Sequence, residues 1–176
     1  MISIETIQHI AGLHQLDPRW VLAFIQVESS GDIYAWRTEP TYNYLWDVKQ
    51  HKPFRKLLPA EVNCEVAPAD FYSLAGSRNT EWLGQQASWG PMQVMGAVAR
   101  EFGFKDHFPK LCGDIGVEIG CLLIKRLHRS YFTTHGIEGV AAAYNAGSPR
   151  ILAKTHQYAN QEYVDQFSRY LKTALL

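Results

Sequence analysis

The clearest structural signal in this 176-residue chain is a helix that begins at Asp17-Pro18 and carries an acid on its apolar side. Aspartate is a favoured N-cap, and proline suits the first helical position because its missing N–H would have no partner there. Apolar residues follow at helical spacing over 21–25, and Glu28 falls next on the same stripe. The small polar residues of 29–32 predict the end of the helix. Because the stripe must pack against other elements, the pattern favours a carboxyl group at the edge of a core.

Periodic apolar residues predict further helices on both sides of a central irregular part. The predicted helices are 3–16 with Ser3 as N-cap, 17–29, 88–103, one that begins at Asp114, one that ends at Gly147 and one that begins near Asn160. Residues 33–87 carry scattered prolines and glycines, and residues 41–46 are rich in strand formers. This order predicts an α+β fold that is predominantly α-helical, with residues 1–176 as a single domain.

Composition and charge exclude several classes of protein. Hydrophobic residues make up 47% of the chain and charged residues 19%, which is typical of a folded globular protein. Lys and Arg total 17, as do Asp and Glu, so the chain lacks the basic excess of a general nucleic-acid binder. We interpret the basic patch at 49–56 as a solvated loop or a contact for acidic polymers. The longest apolar runs are too short to cross a bilayer, which predicts no membrane insertion.

The cysteine and histidine patterns predict neither disulfides nor a metal site. Cys64, Cys112 and Cys121 do not make a disulfide framework in a chain of this length, and we expect three free thiols. The seven histidines are scattered and no metal-binding motif occurs, so we expect no metal and no cofactor. The first residues lack the basic and apolar regions of a signal peptide. Together with the free thiols, this predicts synthesis in a reducing cytoplasm.

Glu28 is the residue whose pattern most favours chemistry. Burial disfavours the charged form of a carboxyl group, and the negative end of the helix dipole acts in the same direction, so both raise its pKa. A carboxyl group that keeps its proton near neutral pH can act as a general acid. Periodicity alone leaves open a second interpretation, in which Glu28 ends the helix and faces water.

Three later segments accompany Glu28 in a fixed order. The four motifs read Glu28-Ser29-Ser30-Gly31, Gly90-Pro91-Met92-Gln93, Ala143-Tyr144-Asn145-Ala146-Gly147 and Tyr163-Val164. Together they resemble the lysozyme-like superfamily of soluble lytic transglycosylases and goose-type lysozymes, in which the glutamate of the first motif is catalytic. Pro91 stands where the family usually has leucine, at a place where only turn geometry is needed.

The resemblance implies a lysozyme-like fold with a small β region and an enlarged insertion. The gap between Glu28 and Gly90 is longer than is typical of the family's bacterial members, so we expect an insertion at about 36–86. Its stretch at 37–40 resembles an Arg-x-Glu-Pro element of phage members. We expect the insertion to form one wall of the substrate cleft through aromatic residues that can stack on sugars, namely Trp36, Tyr42, Tyr44, Trp46 and Tyr72.

The activity that the resemblance implies is cleavage of the β-1,4 bond between N-acetylmuramic acid and N-acetylglucosamine in peptidoglycan. Glu28 would protonate the glycosidic oxygen and then act as base on the attacking hydroxyl. In lytic transglycosylases that hydroxyl is the sugar's own 6-OH, which gives 1,6-anhydromuramyl ends and needs no second carboxylate. A hydrolytic lysozyme is the alternative, and a retaining hydrolase normally needs a second carboxylate. The nearby acids are Asp32, Glu39 and Asp47, of which Glu39 is favoured by its context.

The family pattern also implies the residues that bind substrate. They are Ser29, Glu39, Ser88, Gly90, Met92, Gln93, Tyr144, Asn145 and Tyr163, with a capping role as the alternative for the two serines. The implied partner is the peptidoglycan glycan strand, bound by a monomer. Without a visible signal peptide, such an enzyme fits a phage endolysin released through a holin pore, or a virion component, that acts on periplasmic or cell-wall peptidoglycan. A non-catalytic wall-binding or virion protein on the same scaffold is a further alternative, and Glu28 counts against it.

Overall fold

Six α-helices and two small sheets form the fold over residues 2–74 and 76–174, the part of the chain that the computed structural model describes. The helices are α1 (Ile4–Leu13), α2 (Pro18–Ser29), α3 (Arg78–Gln85), α4 (Gly96–Glu101), α5 (Asp114–Ala146) and α6 (Gln161–Thr173). Short 3-10 helices cover Pro59–Glu61 and Phe108–Leu111. About 52% of the described residues are helical, which confirms an α+β fold that is predominantly α-helical.

The predicted N-caps of α1 and α2, and the predicted end of α2, are confirmed. The carboxylate of Asp17 accepts a hydrogen bond from the backbone N–H of Arg19 at 2.9 Å. Ser30 adopts the left-handed conformation with a φ of 55°, which stops α2. The hydroxyl of Ser3 caps α1 by accepting from the N–H of Thr6 at 3.2 Å.

Helix α5 joins two helices that the sequence predicts separately. It bends at Gly136, where φ is 63° and ψ is −167°. That positive φ suits glycine, because glycine has no Cβ to clash with the neighbouring carbonyl. The predicted end at Gly147 is confirmed, since this residue is the left-handed C-cap and its N–H donates to the carbonyl of Ala143 at 2.7 Å.

The β region consists of one three-stranded and one two-stranded antiparallel sheet. The first contains β1 (Trp36–Thr38), β4 (Ala87–Trp89) and β5 (Val94–Met95) in the order β1-β4-β5, and the second pairs β2 (Trp46–Asp47) with β3 (Lys52–Pro53). Of the strand formers at 41–46, only Trp46 lies in a strand. The N–H of Tyr42 instead closes a turn onto the carbonyl of Glu39 at 2.9 Å.

The predicted helix at 88–103 is wrong in its first half. Residues 88–95 form the β4–β5 hairpin, and α4 begins only at Gly96. Turn chemistry overrides the helical spacing of the apolar residues here. Gly90 has a φ of 70° and Gln93 a φ of 46°, and an α-helix accommodates neither value.

The inserted segment, which we define as residues 39–86, begins slightly later than the sequence predicts. Residues 36–38 belong to the main sheet as β1, which pairs with β4. The chain leaves the sheet at Glu39 and returns at Gln86, where the N–H of Glu39 donates to the carbonyl of Gln86 at 2.7 Å. The segment is therefore a long connection between the neighbouring strands β1 and β4, and a hydrogen bond joins its two ends.

Two hydrophobic cores hold these elements together. The main core packs α1, α2, α5 and α6 with the hairpin, and its fully buried members include Phe24, Ile124 and Phe167. The smaller core lies largely within the inserted segment. There Phe71 packs edge-on against Trp82, with ring centroids 5.1 Å apart.

Cys64, Cys112 and Cys121 carry free thiols, and burial raises the pKa of Cys121 to about 12. A thiol of that kind stays protonated at physiological pH and is a weak nucleophile. None of the described helices is long and apolar enough to cross a membrane.

A buried ion pair joins the inserted segment to α4. The carboxylate of Glu81 accepts two hydrogen bonds from the guanidinium of Arg100, at 2.8 and 2.9 Å, and both side chains are at most 4% exposed. Arg100 also donates to two backbone carbonyls, and Gln85 donates to Glu81 at 3.0 Å. The carboxylate of Glu81 and the guanidinium of Arg100 therefore both have hydrogen-bond partners in the interior. Removal of one charge would leave the other buried without compensation.

We expect Glu81→Gln to lower the free energy of unfolding by about 3–5 kcal/mol, because it leaves the Arg100 charge buried and unpaired. Urea unfolding measures this loss. The matched control is Glu65→Gln, an exposed acid of the same segment, which should change stability by less than about 0.5 kcal/mol. Equal stability of the two variants would contradict this role for the pair.

Candidate active site

Glu28 stands in the last turn of α2 and lines an open cleft of about 790 Å³. One turn earlier, Phe24 is fully buried and packs against the rings of Tyr144 and Phe167, with centroids 4.5 and 4.6 Å away. The apolar stripe therefore fixes the end of the helix, and Glu28 is partly buried above the core. This position favours a cleft residue over the alternative of a helix end that simply faces water.

The cleft brings together five of the nine expected substrate-binding residues. They are Glu39, Ser88, Gln93, Tyr144 and Asn145. Residues 37–44 of β1 and the inserted segment, the hairpin, α4 and the two halves of α5 all contribute to its walls. The expected Tyr163 lies outside this lining and contacts Glu28 itself, whereas Ser29, Gly90 and Met92 lie behind the cleft.

Tyr163 reaches Glu28 from α6, 135 residues later in the chain. Its hydroxyl donates to Oε1 of Glu28 at 2.5 Å. Val164 and Phe167 are buried on the same helix, and their packing fixes the turn that carries the phenol. The hydrogen bond holds one carboxyl oxygen in place and leaves the other for chemistry.

The surroundings of Glu28 favour its protonated form near neutral pH. Burial raises its pKa from an ordinary value of 4.5 to about 7, although the hydrogen bond from Tyr163 and the positive charge of Arg37 each lower it in part. Burial and then the charge of Glu28 raise the pKa of both Tyr144 and Tyr163 well above 10. Both phenols therefore keep their protons, and Glu28 is the group that titrates.

The motif residues behind the cleft fasten the hairpin to the helices. The hydroxyl of Tyr144 donates to the carbonyl of Met92 at 2.8 Å, and the hydroxyl of Ser29 donates to that of Pro91 at 2.8 Å. Both bonds span more than 50 residues of sequence. They hold the turn that follows Gly90 against α2 and α5, so the Glu28 motif and the hairpin motif form one rigid unit.

Of the expected substrate-binding residues, Ser29, Gly90 and Met92 do not line the cleft, and the contacts that they make are structural. Met92 is completely buried. A Cβ on Gly90 would lie 2.0 Å from the carbonyl oxygen of Leu111, so this glycine permits a close approach of backbone. The hydroxyl of Ser29 donates to the main-chain carbonyls of Ile25 and Pro91. The sequence motifs indicate that these residues lie near Glu28. They do not indicate whether each residue faces the cleft or the interior behind it.

Gln93 and Ser88 form the cleft face of the hairpin. The hydroxyl of Ser88 donates to Oε1 of Gln93 at 2.9 Å. The Gln93 amide nitrogen donates to the carbonyls of Ala35 and Gly90, at 3.0 and 2.9 Å. This network ties β1 to the hairpin turn, which accounts for the strained positive φ of Gln93.

Asn145 is exposed at the C-terminal end of α5. Its Oδ1 accepts from the side-chain nitrogen of Asn160, the N-cap residue of α6, at 2.8 Å. The Asn145 amide nitrogen has no protein acceptor among the described residues, so this donor is free at the cleft.

Of the three acids considered as a second carboxylate, Glu39 alone lines the cleft. Asp32 is exposed and accepts from the N–H of Tyr34, and buried Asp47 accepts from two backbone N–H groups of the following turn. Glu39 is held by the guanidinium of Arg37 at 2.5 Å, across an exposed edge of the cleft. Sequence reasoning did not assign Arg37 a role, although its alternation with Glu39 along a strand would place both on one face.

The sequence does not predict a second ion pair that lines the cleft. The guanidinium of Arg126 on α5 lies 2.8 Å from the carboxylate of Glu101 at the end of α4. Neither residue belongs to a recognisable motif. Only the tertiary fold, which places the end of α4 beside Arg126, brings them together.

The expectation for the insertion aromatics holds for two residues of five. Tyr42 and Tyr44 line the cleft. Trp36 instead stacks on Trp89 at 5.9 Å between centroids, and Tyr72 lies under the ammonium of Lys49 on the protein surface. Trp46 pairs within the small sheet, with its backbone held by Gln85. Only the first part of the inserted segment thus forms a wall of the cleft.

No group of three or more histidine, cysteine, aspartate or glutamate side chains converges among the described residues in a way that could hold a metal ion. Comparisons with protein-family models, with curated proteins and with solved structures found no match. The geometry of the site therefore carries the functional argument.

We expect Glu28→Gln to be stabilising at alkaline pH relative to the wild type. Folded Glu28 holds its proton up to about pH 7 and unfolded Glu28 only to about 4.5. The wild type therefore has its full stability below pH 4.5 and loses up to about 3 kcal/mol as the pH rises through 7. Glutamine cannot titrate and avoids that loss. The stability difference between the two proteins, from urea unfolding at pH 4.5 and 8, should grow by this amount. A difference that does not change with pH would contradict the raised pKa.

Proposed function

We propose that this chain cleaves the β-1,4 glycosidic bond between N-acetylmuramic acid and N-acetylglucosamine in bacterial peptidoglycan, on a lysozyme-like fold. The observation that carries the proposal is the pair of Glu28 and Tyr163 in an open cleft. A partly buried carboxyl group whose pKa is about 7 and whose orientation is fixed by a 2.5 Å hydrogen bond is suited to general acid catalysis.

Glu28 would donate its proton to the glycosidic oxygen as the bond from C1 of the muramyl sugar to that oxygen breaks. The leaving sugar departs as an alcohol, and positive charge develops on the ring of the muramyl sugar. Glu28 is then a carboxylate, and it can stabilise that charge. Tyr163 remains a hydrogen-bond donor throughout, so it supports Glu28 better as the carboxylate than as the neutral acid.

The second step favours an internal nucleophile. The muramyl 6-OH attacks C1, its proton passes to Glu28, and the new C1–O6 bond gives a 1,6-anhydro sugar. Glu28 ends the cycle protonated, as it began. The other two acids that line the cleft, Glu39 and Glu101, are each paired with an arginine at 2.5 and 2.8 Å. Such pairing weakens a carboxylate as a nucleophile, which supports transglycosylation over a mechanism with two carboxylates.

A hydrolytic lysozyme on the same fold is the second candidate. Glu39 lines the same cleft as Glu28, and its partner Arg37 is 75% exposed, so substrate could separate the pair. Glu39 would then hold a water molecule or stabilise the sugar cation. Both candidates share the acid and differ only in the nucleophile.

We expect digestion of purified sacculi to release muropeptides with 1,6-anhydromuramyl ends, which weigh one water less than reducing ends. Mass spectrometry of the digest distinguishes the two. Exclusively reducing ends would make the enzyme a hydrolase.

Glu28→Gln keeps the shape of the side chain and removes the proton transfer. It should lower the rate of release by roughly two to four orders of magnitude. Glu39→Gln, the matched change in the other expected acid of the cleft, should cost far less if the 6-OH is the nucleophile. Rapid lysis by Glu28→Gln would rule out the proposed mechanism.

A further inference from the structure

Trp36 carries an exposed indole ring that the cleavage mechanism does not use. Of the five tryptophans, all of which the structure describes, Trp36 alone is exposed, with 60% of the residue open to water. Tryptophan is highly buried on average in folded proteins, and it is enriched where a protein contacts a ligand or a partner. The exposed ring therefore indicates a contact surface outside the cleft.

Trp36 lies on the face of the three-stranded sheet that is turned away from the cleft. Successive side chains of a strand alternate between the two faces of a sheet, and cross-strand partners share a face. Arg37 pairs with Ser88, and both line the cleft. Trp36 pairs with Trp89 on the other face, and neither belongs to the lining of the cleft. The sheet therefore separates a ligand on Trp36 from a ligand in the cleft.

The ring of Trp36 is the outer end of a column of stacked groups. It stacks on Trp89 with centroids 5.9 Å apart, and Trp89 stacks on Phe108 with centroids 5.8 Å apart. The guanidinium of Arg100, from the buried ion pair, lies 4.2 Å from the centroid of Phe108. The indole N–H of Trp89 also donates to the carbonyl of Gly84 at 2.9 Å. These contacts fix the plane of the outer ring, whose free face we call the Trp36 platform.

A ligand that continues this column must present a flat surface. A pyranose ring packs its C–H groups on an aromatic face while its hydroxyl groups stay in water. A nucleobase is also flat, but the chain has 17 basic and 17 acidic residues and lacks the positive excess that phosphates require. The glycan backbone of peptidoglycan is an uncharged chain of pyranose rings, and it meets both conditions.

We propose that the Trp36 platform binds a second glycan strand of the cell wall and holds the enzyme on the polymer while the cleft acts on another strand. This inference rests on the proposed function. A short soluble fragment can occupy the cleft alone, whereas an intact sacculus offers strands to both faces of the sheet. The Trp36 platform should therefore matter for cleavage of sacculi and not for cleavage of short fragments.

The first test compares variants on two substrates, intact sacculi and short soluble glycan fragments prepared from them. Trp36→Ala should lower the rate on limiting amounts of sacculi roughly threefold to tenfold, the range expected for one aromatic stacking contact. The rate on short fragments should stay the same, which also shows that the variant is folded. Trp36→Phe keeps a flat ring and should retain most of the rate on sacculi. Tyr72→Ala removes another exposed aromatic ring outside the cleft and is the matched control, with no change on either substrate.

Hydroxyl-radical footprinting tests the contact with the platform intact. The Glu28→Gln variant is mixed with an excess of long soluble glycan strands, so that strands bind without being cut, and mass spectrometry measures the oxidation of each residue. Glycan should slow the oxidation of Trp36 severalfold and leave that of Tyr72 unchanged. Tyr44, which lines the cleft, reports in the same experiment whether the cleft is occupied.

The two experiments separate the platform from the proposed function. Protection of Tyr44 without protection of Trp36 would overturn the platform and leave the proposed function standing, and a partner protein on this ring would give that result. A rate of Trp36→Ala on sacculi equal to that of the wild type, or an equal loss on both substrates, would also overturn the platform. If the wild type cleaves neither substrate, the proposed function fails, whereas protection of Trp36 would still support glycan binding at the platform.

Discussion

The hydrogen bond from Tyr163 to Glu28 is the interaction on which the site depends. It joins the last helix to the second across 135 residues, so the acid is correctly placed only when the helical core is complete. Burial by that core raises the pKa of Glu28 to about 7, and the phenol keeps the carboxyl group oriented while lowering that value in part. The stability lost when Glu28 ionises and its proposed use as an acid have one physical cause, which is partial burial of a titratable group.

Around this pair, some motif residues make their hydrogen bonds behind the cleft. Ser29 and Tyr144 use their hydroxyls on the carbonyls of Pro91 and Met92, and so they lock the hairpin to the helices. The surface of the cleft is built on these two hydrogen bonds, with the first part of the inserted segment as an added wall. Preorganisation of this kind keeps the acid and its neighbours from moving when charge develops in the transition state.

Local signals in the sequence predicted α1 and α2 with their N-caps, the end of α5 at Gly147 and the position of Glu28 on α2, because capping and apolar periodicity act within a few residues. They failed for the hairpin at 88–95, where backbone conformations at Gly90 and Gln93 override periodicity. They also could not tell that Met92 faces the core, or that Glu101 meets Arg126, since both facts depend on how distant helices pack. The ordered motifs indicated which segments converge, and only the three-dimensional arrangement separated the residues of the cleft from those behind it.

The pH dependence of peptidoglycan cleavage tests the central claim most directly, because kcat/KM reports the pKa of the essential acid in the free enzyme. We predict that kcat/KM falls on the alkaline side with an apparent pKa near 7, as Glu28 loses the proton that it must donate. In Tyr163→Phe the fall should move to higher pH, because the phenol lowers the pKa of Glu28. A rate that stays constant through neutral pH, or a fall that moves to lower pH in Tyr163→Phe, would contradict the account.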